Sequence, residues 1–507
     1  MSESAPLLEL RGVDKRFGAV HANRSVDLIL NAGEVLGLLG ENGAGKTTLM
    51  NILFGIYHAD AGEIRIAGRA VTIRSPADAL AAGIGMVHQH FQLVERHSVL
   101  ENLMVGEPGR RGLIDRSGAR ARLAEIAARY ALPLEPDRLV GSLSVGEQQR
   151  LEIVKALYRG ARVLILDEPT SVLTPQETEG LFSAIRSMAG QGVGVIFISH
   201  KLNEVRAITD RLVVMRHGAV VAETTNDDTV TARHLAKLMC GHELAAPTRQ
   251  AIRPGPVLLA LHSVRTRPGP EHPMALKDVS LSVRGGEILG IVGVSGNGQR
   301  EFAEVIGGTL EASGGRIEVA GQTVTGRGVR TMQRLGVAHV PEDRLGAGLL
   351  STLPLTDSMI LTRVGEAPFS RLGILKHSAA RRFVAAQIEK FGIRAPGPEA
   401  RTGTLSGGNL QKALLARELA FGPLVLVASQ PTRGLDVAAK EFVQRQLLEL
   451  RARGRAVIVI SEDLEEVFEI ADRVAVMFEG RILDIVPVVE AEIARIGLLM
   501  AGAEGTA

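Results

Sequence analysis

The chain has 507 residues, long enough for two or more domains with full cores. Its apolar fraction of 45% is that of an ordinary water-soluble protein, and a net charge of +2 provides no global basic field, so nucleic acid is not an expected partner. A single cysteine, Cys240, excludes an internal disulfide and leaves no second cysteine to share a metal.

The first residues, MSESAPLLELRG, lack the basic start and apolar core of a secretory signal. No apolar run approaches the roughly 20 residues that span a bilayer. The chain is therefore expected to be soluble by itself, with any membrane role exerted through a partner. Residues 35–39 read as a buried strand. They run into 40–48, GENGAGKTT, in which Gly40, Glu41, Asn42, Gly43, Ala44, Gly45, Lys46, Thr47 and Thr48 form a complete phosphate-binding loop. A glycine-rich turn aims backbone N–H groups inward, and the helix expected from Thr47 adds its N-terminal partial charge. Lys46 suits the β and γ phosphates, and the Thr47 hydroxyl suits Mg²⁺. Residues 93–159 are mostly helical in pattern, which predicts an α-helical subdomain ahead of the next core strand. That strand, from Val163, ends in Asp167 and Glu168. Beside a phosphate loop, Asp167 fits the outer Mg²⁺ shell and Glu168 fits a base or water-orienting role at the γ phosphate. His200 follows an apolar strand expected to neighbour Asp167, which suits a γ-phosphate contact. Gln89 is either a metal or water contact or an incidental polar residue. Phe17, which lies 29 residues before Lys46, is either an adenine-stacking ring or ordinary core.

The second half repeats the first in order. Residues 293–300, GVSGNGQR, follow Gly40 by 253 positions, with Gln299 in place of the lysine and Arg300 in place of the hydroxyl. Leu143 and Ser144 match Leu405 and Ser406, 262 positions on, so the second copy gains nine residues between its loop and its LSGG segment. Such insertions are expected in surface connections. The proline-bearing stretch 243–256 marks the seam. The expected layout is a first domain over 1–245, a linker over 246–256 and a second domain over 257–507. Each is an α/β unit with helices covering a sheet.

These residues resemble the ATP-binding cassette family, twice over and along nearly the whole chain. In family terms, 40–48 is the Walker A loop, Gln89 the Q-loop, 143–148 (LSVGEQ) the signature, Asp167 and Glu168 the Walker B pair, and His200 the switch residue. Phe17 matches the adenine-stacking aromatic. The resemblance implies two tandem P-loop NTPase domains, each with a RecA-like α/β core, an antiparallel β subdomain and an α-helical subdomain. PTSVLTPQE after the first Walker B, HVPEDR at 339–344 and ASQPTRGLD at 428–436 are similar to the fused double-cassette ATPases of bacterial sugar and nucleoside importers, most of all their nucleoside-uptake branch.

In that family the cassettes pack head to tail, and each ATP is held by the Walker motifs of one half and the signature of the other. The resemblance thus sorts the residues into two sites. One joins Lys46, Thr47, Gln89, Asp167, Glu168 and His200 with Ser406, Gly407, Gly408 and the D-loop Asp436, all intact. The other joins Gln299 and Arg300 with Ser429 and Gln430 at the Walker B acids, Glu342 at the Q-loop and Glu462 at the switch. Its signature, with Ser144 and Gly146, has Val145 in place of one glycine, and its D-loop ends in Thr174. No aromatic matches Phe17 between His262 and Met274. Only the first site is expected to hydrolyse ATP. The resemblance further implies ATP and Mg²⁺ as ligands, two transmembrane permease subunits, an extracytoplasmic substrate-binding protein acting indirectly, and a peripheral location on the cytoplasmic face of the bacterial inner membrane. Its rivals are a soluble tandem-cassette ATPase acting on the ribosome, which usually keeps two active sites and a long charged linker, and a DNA-repair ATPase, which needs zinc-ligand cysteines or a coiled-coil insertion.

Overall fold

The computed structural model describes residues 5–18, 20–88, 91–106, 115–170, 173, 175–199, 201–227, 229–241, 252–500 and 502. Gln89, His200, Thr174 and most of the predicted linker lie outside the described residues. The chain divides into two units, Met1–Leu244 and Ala245–Ala507.

In the first unit a six-stranded sheet has the order Ala219–Thr225, Arg211–Arg216, Val35–Leu39, Gly194–Ile198, Val163–Asp167, Ile84–Val87. The last five strands pair in parallel, and the outer hairpin is antiparallel. Strands Val35–Leu39 and Gly194–Ile198 are buried along their whole length. Helices cover both faces of a parallel sheet, so its central strands carry continuous apolar runs, not an alternation. A second sheet is antiparallel, in the order Val20–Leu30, Leu8–Phe17, Ala61–Ile66, Arg69–Val71. Helices Val99–Met104, Arg116–Tyr130 and Val145–Tyr158 fill the interval between strands Ile84–Val87 and Val163–Asp167, where the helical subdomain was expected.

The second unit repeats this plan. Its large sheet runs Val337–Val340, Val425–Ser429, Ala456–Ser461, Glu287–Val292, Arg473–Phe478, Arg481–Pro487. Its antiparallel sheet runs Val279–Arg284, Val257–Arg265, Gly314–Val319, Gln322–Thr323. Unusual backbone positions recur in register: Ala67 and Ala320 have φ of 48° and 49°, Glu168 and Gln430 of 49° and 47°.

The nine additional residues of the second half enter in two places. Matching β-bridges, Ser98 with Leu139 and Pro354 with Arg401, close segments of 41 (139 − 98) and 47 (401 − 354) positions, so six residues enter between them. The two-stranded hairpin Ser370–Arg371 with Ile374–Leu375 lies there, and its tip residue Leu372 is 94% exposed. The other three precede Pro354. That part also lies at the surface, as expected: in the π-helical turn Arg344–Gly348, Gly346 and Ala347 are exposed, and the chain goes inside only at Gly348 and Leu349. Arg417 makes this possible by donating from Nη1 to the Gly348 carbonyl at 2.6 Å, which satisfies a backbone group that burial would otherwise strand.

Candidate functional site

The phosphate loop leaves the carboxyl end of strand Val35–Leu39 and enters helix Lys46–Leu53. Strand Gly194–Ile198 lies beside it, and strand Val163–Asp167 lies one further on. Loops at the carboxyl ends of parallel strands therefore bring the lysine and the acids to one edge. Gly40, Gly43 and Gly45 have φ of 154°, 83° and 101°. A Cβ on Gly45 would collide with the Ala22 carbonyl, whereas one on Gly43 would meet open space. The Lys46 ammonium donates to the carbonyls of Gly40 at 2.6 Å and Glu41 at 3.0 Å, so it lies folded across the cradle it belongs to.

The acids sit at a strained turn. Glu168 holds a left-handed backbone, and its N–H donates to the Ile198 carbonyl at 2.9 Å. The Asp167 carboxyl is pushed up to about 6, first by burial and then by the charge of Glu168, with Lys46 opposing. The donor set, a hydroxyl on Thr47 and the Asp167 carboxylate, is hard oxygen and fits Mg²⁺, which typically takes one or two protein ligands and completes its shell with water and phosphate. Among the described residues no cluster of three or more His, Cys, Asp or Glu could hold a metal by itself. Phe17 ends strand Leu8–Phe17 at 43% exposed, edge-on to Tyr57 with ring centroids 5.1 Å apart. The Lys15 ammonium lies over its ring, 5.3 Å from the centroid.

In the second unit the loop backbone is retained and its chemistry is not. Gly296 and Gly298 have φ of 88° and 106°, close to Gly43 and Gly45. Gln299 donates from Nε2 to the Val294 carbonyl at 3.0 Å, the fold-back that Lys46 makes to Glu41, without the charge. Arg300 donates from Nε to Glu304 at 2.8 Å. Gln430 keeps the strained turn, donating its N–H to the Ile460 carbonyl at 2.8 Å. Ser429 faces His339 at 3.5 Å, and burial pushes that imidazole down to about 4, with Glu304 opposing. Glu342 pairs with Arg433. Glu462 follows strand Ala456–Ser461, next to Asp463, which caps helix Leu464–Ile470.

The two signature helices end differently. Ser144 caps helix Val145–Tyr158 in a capping box: its hydroxyl accepts from the Glu147 N–H at 3.2 Å, and Glu147 accepts from the Ser144 N–H at 2.7 Å. Burial favours neutral Glu147, yet the Ser144 N–H and Arg138, 2.6 Å away, outweigh it and hold the carboxyl below its usual range. A carboxylate thus already occupies that helix N-terminus. Ser406 makes no cap to helix Gly407–Leu419, and the third residue of that helix is the neutral Asn409, which donates to the Ser406 hydroxyl at 2.9 Å. Gly407 and Gly408 open this helix with their N–H groups uncovered by any acid of its first turn. Asp436 caps helix Val437–Ala452, accepting from Ala439 at 2.8 Å.

The family model described as ABC transporter matches residues 23–171 and 276–433. The chain belongs to the ABC transporter family. It is an ATP-binding ATPase subunit of that family, built from two cassettes. The nucleoside import ATP-binding protein NupA of Lactococcus lactis is 40% identical over 98% of this chain and 98% of its own length. The guanosine import ATP-binding protein NupO of Bacillus subtilis is 42% identical over 98% and 97%. The glucose import ATP-binding protein TsgD13 of Haloferax volcanii is 42% identical over 98% and 96%. A solved structure from the complex of an archaeal ribosome recycling factor with a stalk protein shares the fold, with a TM-score of 0.64 over 97% of this chain and 92% of that one, at 19% identity.

Two features of this ABC ATPase escaped the motif reading. Asn23, 0% exposed, donates from Nδ2 to the Gly45 carbonyl at 3.1 Å and so ties the end of the Walker A loop to strand Val20–Leu30; its Oδ1 has no partner among the described residues. The matching position in the second cassette, 253 on, is Leu276, so the contrast between the repeats was the available signal. The capping box was legible as S-x-x-E at 144–147, but it stood inside the signature and was absorbed into that motif.

Proposed function

We propose that this chain is the energy-coupling subunit of a bacterial importer for nucleosides or, failing those, simple sugars, and that it hydrolyses ATP at one composite site only. That site joins Lys46, Thr47, Gln89, Asp167, Glu168 and His200 with Ser406, Gly407, Gly408 and Asp436, the two cassettes meeting head to tail within the chain. The observation that carries the reading is the distribution of losses. Gln299, Arg300, Ser429, Gln430, Glu342 and Glu462 in one half, and Val145 and Thr174 in the other, all fall on the same composite pocket. Decay of a single domain would not select signature residues in its neighbour. The capping box agrees with this pattern: the Glu147 carboxylate at the first signature would repel a phosphate, whereas the Asn409 end of the second would accept one.

At the working site, Phe17 covers the base, the loop N–H groups and Lys46 bind the phosphates, and Ser406 with the Gly407 and Gly408 N–H groups completes the cradle. Thr47, Asp167 and Gln89 would hold Mg²⁺, whose charge would offset that of the β and γ phosphates. Glu168 accepts the proton of, or orients, the attacking water, and His200 contacts the γ phosphate. Closure of the halves on ATP and reopening after hydrolysis would move two permease subunits docked on the helical subdomains, on the cytoplasmic face of the inner membrane, with a substrate-binding protein delivering solute from the other side. The nucleoside assignment draws on the two relatives at 40% and 42% identity named for nucleoside and guanosine import, the glucose importer at 42% being the reason sugars stay in view.

Uptake of labelled nucleosides and pentoses, with and without this subunit, tests the substrate class. Single-turnover hydrolysis tests the asymmetry: the expected yield is one ATP per chain, and two would sink it. Glu168→Gln should remove turnover by about two to four orders of magnitude, and Gln430→Glu should create none. ATPase activity that responds to ribosomes but not to permease and loaded binding protein would favour the soluble alternative.

A further inference from the structure

We infer that Arg344 is a positioning residue for ATP hydrolysis, acting from the cassette whose own Walker motifs are lost; the inference rests on the composite-site reading above. The position after strand Val337–Val340 is where a Q-loop would begin, and Glu342 replaces its glutamine. The structure gives this segment a different task. Asp343 caps the following turn, accepting from the N–H groups of Leu345 at 3.0 Å and Gly346 at 2.9 Å. The turn thrusts Arg344 against the signature helix. Its Nε donates to Gln411 Oε1 at 2.7 Å, its Nη2 donates to the carbonyl of Arg433 in the D-loop, and its Nη1 lies 3.6 Å from where a Cβ on Gly407 would stand. Glu342 closes the frame by pairing with the Arg433 side chain. Gln411 is 1% exposed, and its Nε2 has no partner among the described residues, so its amide is held by the guanidinium alone.

The planar fork of an arginine can bridge an amide and a carbonyl at fixed angles, which a lysine cannot do. It therefore sets the signature serine and glycines, Ser406 to Gly408, in a constant relation to the D-loop that ends at Asp436. Those are the groups this cassette contributes to the working site. In the first cassette Gln89 and Ser171, which match Glu342 and Arg433, lie outside the described residues. There Lys155 donates to the Gln92 carbonyl at 2.8 Å, as Arg417 does to Gly348. The three residues the second copy gains thus lie ahead of Gly348, in the turn that carries Arg344. Glu342 and Arg344 accordingly form a strut at the place where the Q-loop glutamine is lost.

The test uses the full chain assembled with its permease. Arg344→Ala is expected to lower kcat about tenfold or more, since small misplacements of catalytic groups are costly, while KM for ATP and thermal midpoint move little. Arg344→Lys keeps the charge without the fork and should stay near the alanine variant; with Gln411→Met, it carries the test if alanine prevents folding. In a cycle with Ser406→Ala, the double variant should be within about twofold of Ser406→Ala alone, because both losses act through one group. Unchanged kcat in Arg344→Ala, full rescue by lysine, or additive losses would each overturn the inference. Wild-type turnover in Ser406→Ala would instead bring down the composite-site reading, and the inference with it.

Discussion

Asp167 offers the sharpest quantitative handle. Its pKa of about 6, against the ordinary 3.8, arises first from burial and then from Glu168. For a carboxyl whose folded value is raised, the native state holds the proton that the unfolded chain has lost. Stability is therefore favoured below the unfolded value and declines as pH rises from about 3.8 to about 6, by about 3 kcal/mol in total. Ligation of Mg²⁺ demands the ionised form. MgATP affinity should therefore be about tenfold weaker at pH 5 than at pH 7, whereas an acid of ordinary pKa would change it by about a tenth. Calorimetry with a non-hydrolysable ATP analogue, in buffers of different ionisation enthalpy, should show about one proton released per site at pH 5. Asp167→Asn should abolish that release, and the ratio of the two proteins removes the titration of the phosphate itself. In Glu168→Gln the midpoint should fall, since the second cause of the shift is gone. Equal proton release by wild type and Asp167→Asn, or a midpoint unmoved by Glu168→Gln, would refute the reasoning.

Five substitutions probe the rest of the site. Gly45→Ala places a Cβ on a φ of 101° against the Ala22 carbonyl and should abolish nucleotide binding in an equilibrium assay; Gly43→Ala, with open space around it, should cost about 1–2 kcal/mol of strain in a denaturant titration and leave some binding. Asn23→Leu, which imports the residue of the silent repeat, frees the Gly45 carbonyl and should raise KM for ATP severalfold with little change in kcat. Asn409→Glu should build the capping box of the first signature onto the second and depress steady-state turnover, while Glu147→Asn should not; equal effects of the two would count against the assignment of signatures to sites.

Much of this molecule was written into local sequence. The phosphate loop, the apolar strands ending at Leu39 and Asp167, and the doubling of the whole pattern are short-range features, set by steric demands on glycine, by strand burial and by the order of elements along the chain. Their legibility follows from the fact that a phosphate cradle is made mostly of contiguous backbone. Tertiary structure decided the rest. Asn23 reaches Gly45 across 22 positions, Arg344 reaches Gln411 across 67 and the D-loop across 89. Such contacts depend on where folding brings distant side chains, and no spacing rule announces them. The inserted turn makes the point most directly. Read along the chain, 341–347 is a glycine-bearing surface loop, and it stays at the surface, but the Arg344 guanidinium ties it to the signature helix and the D-loop, so a segment that reads as a lost motif becomes a brace.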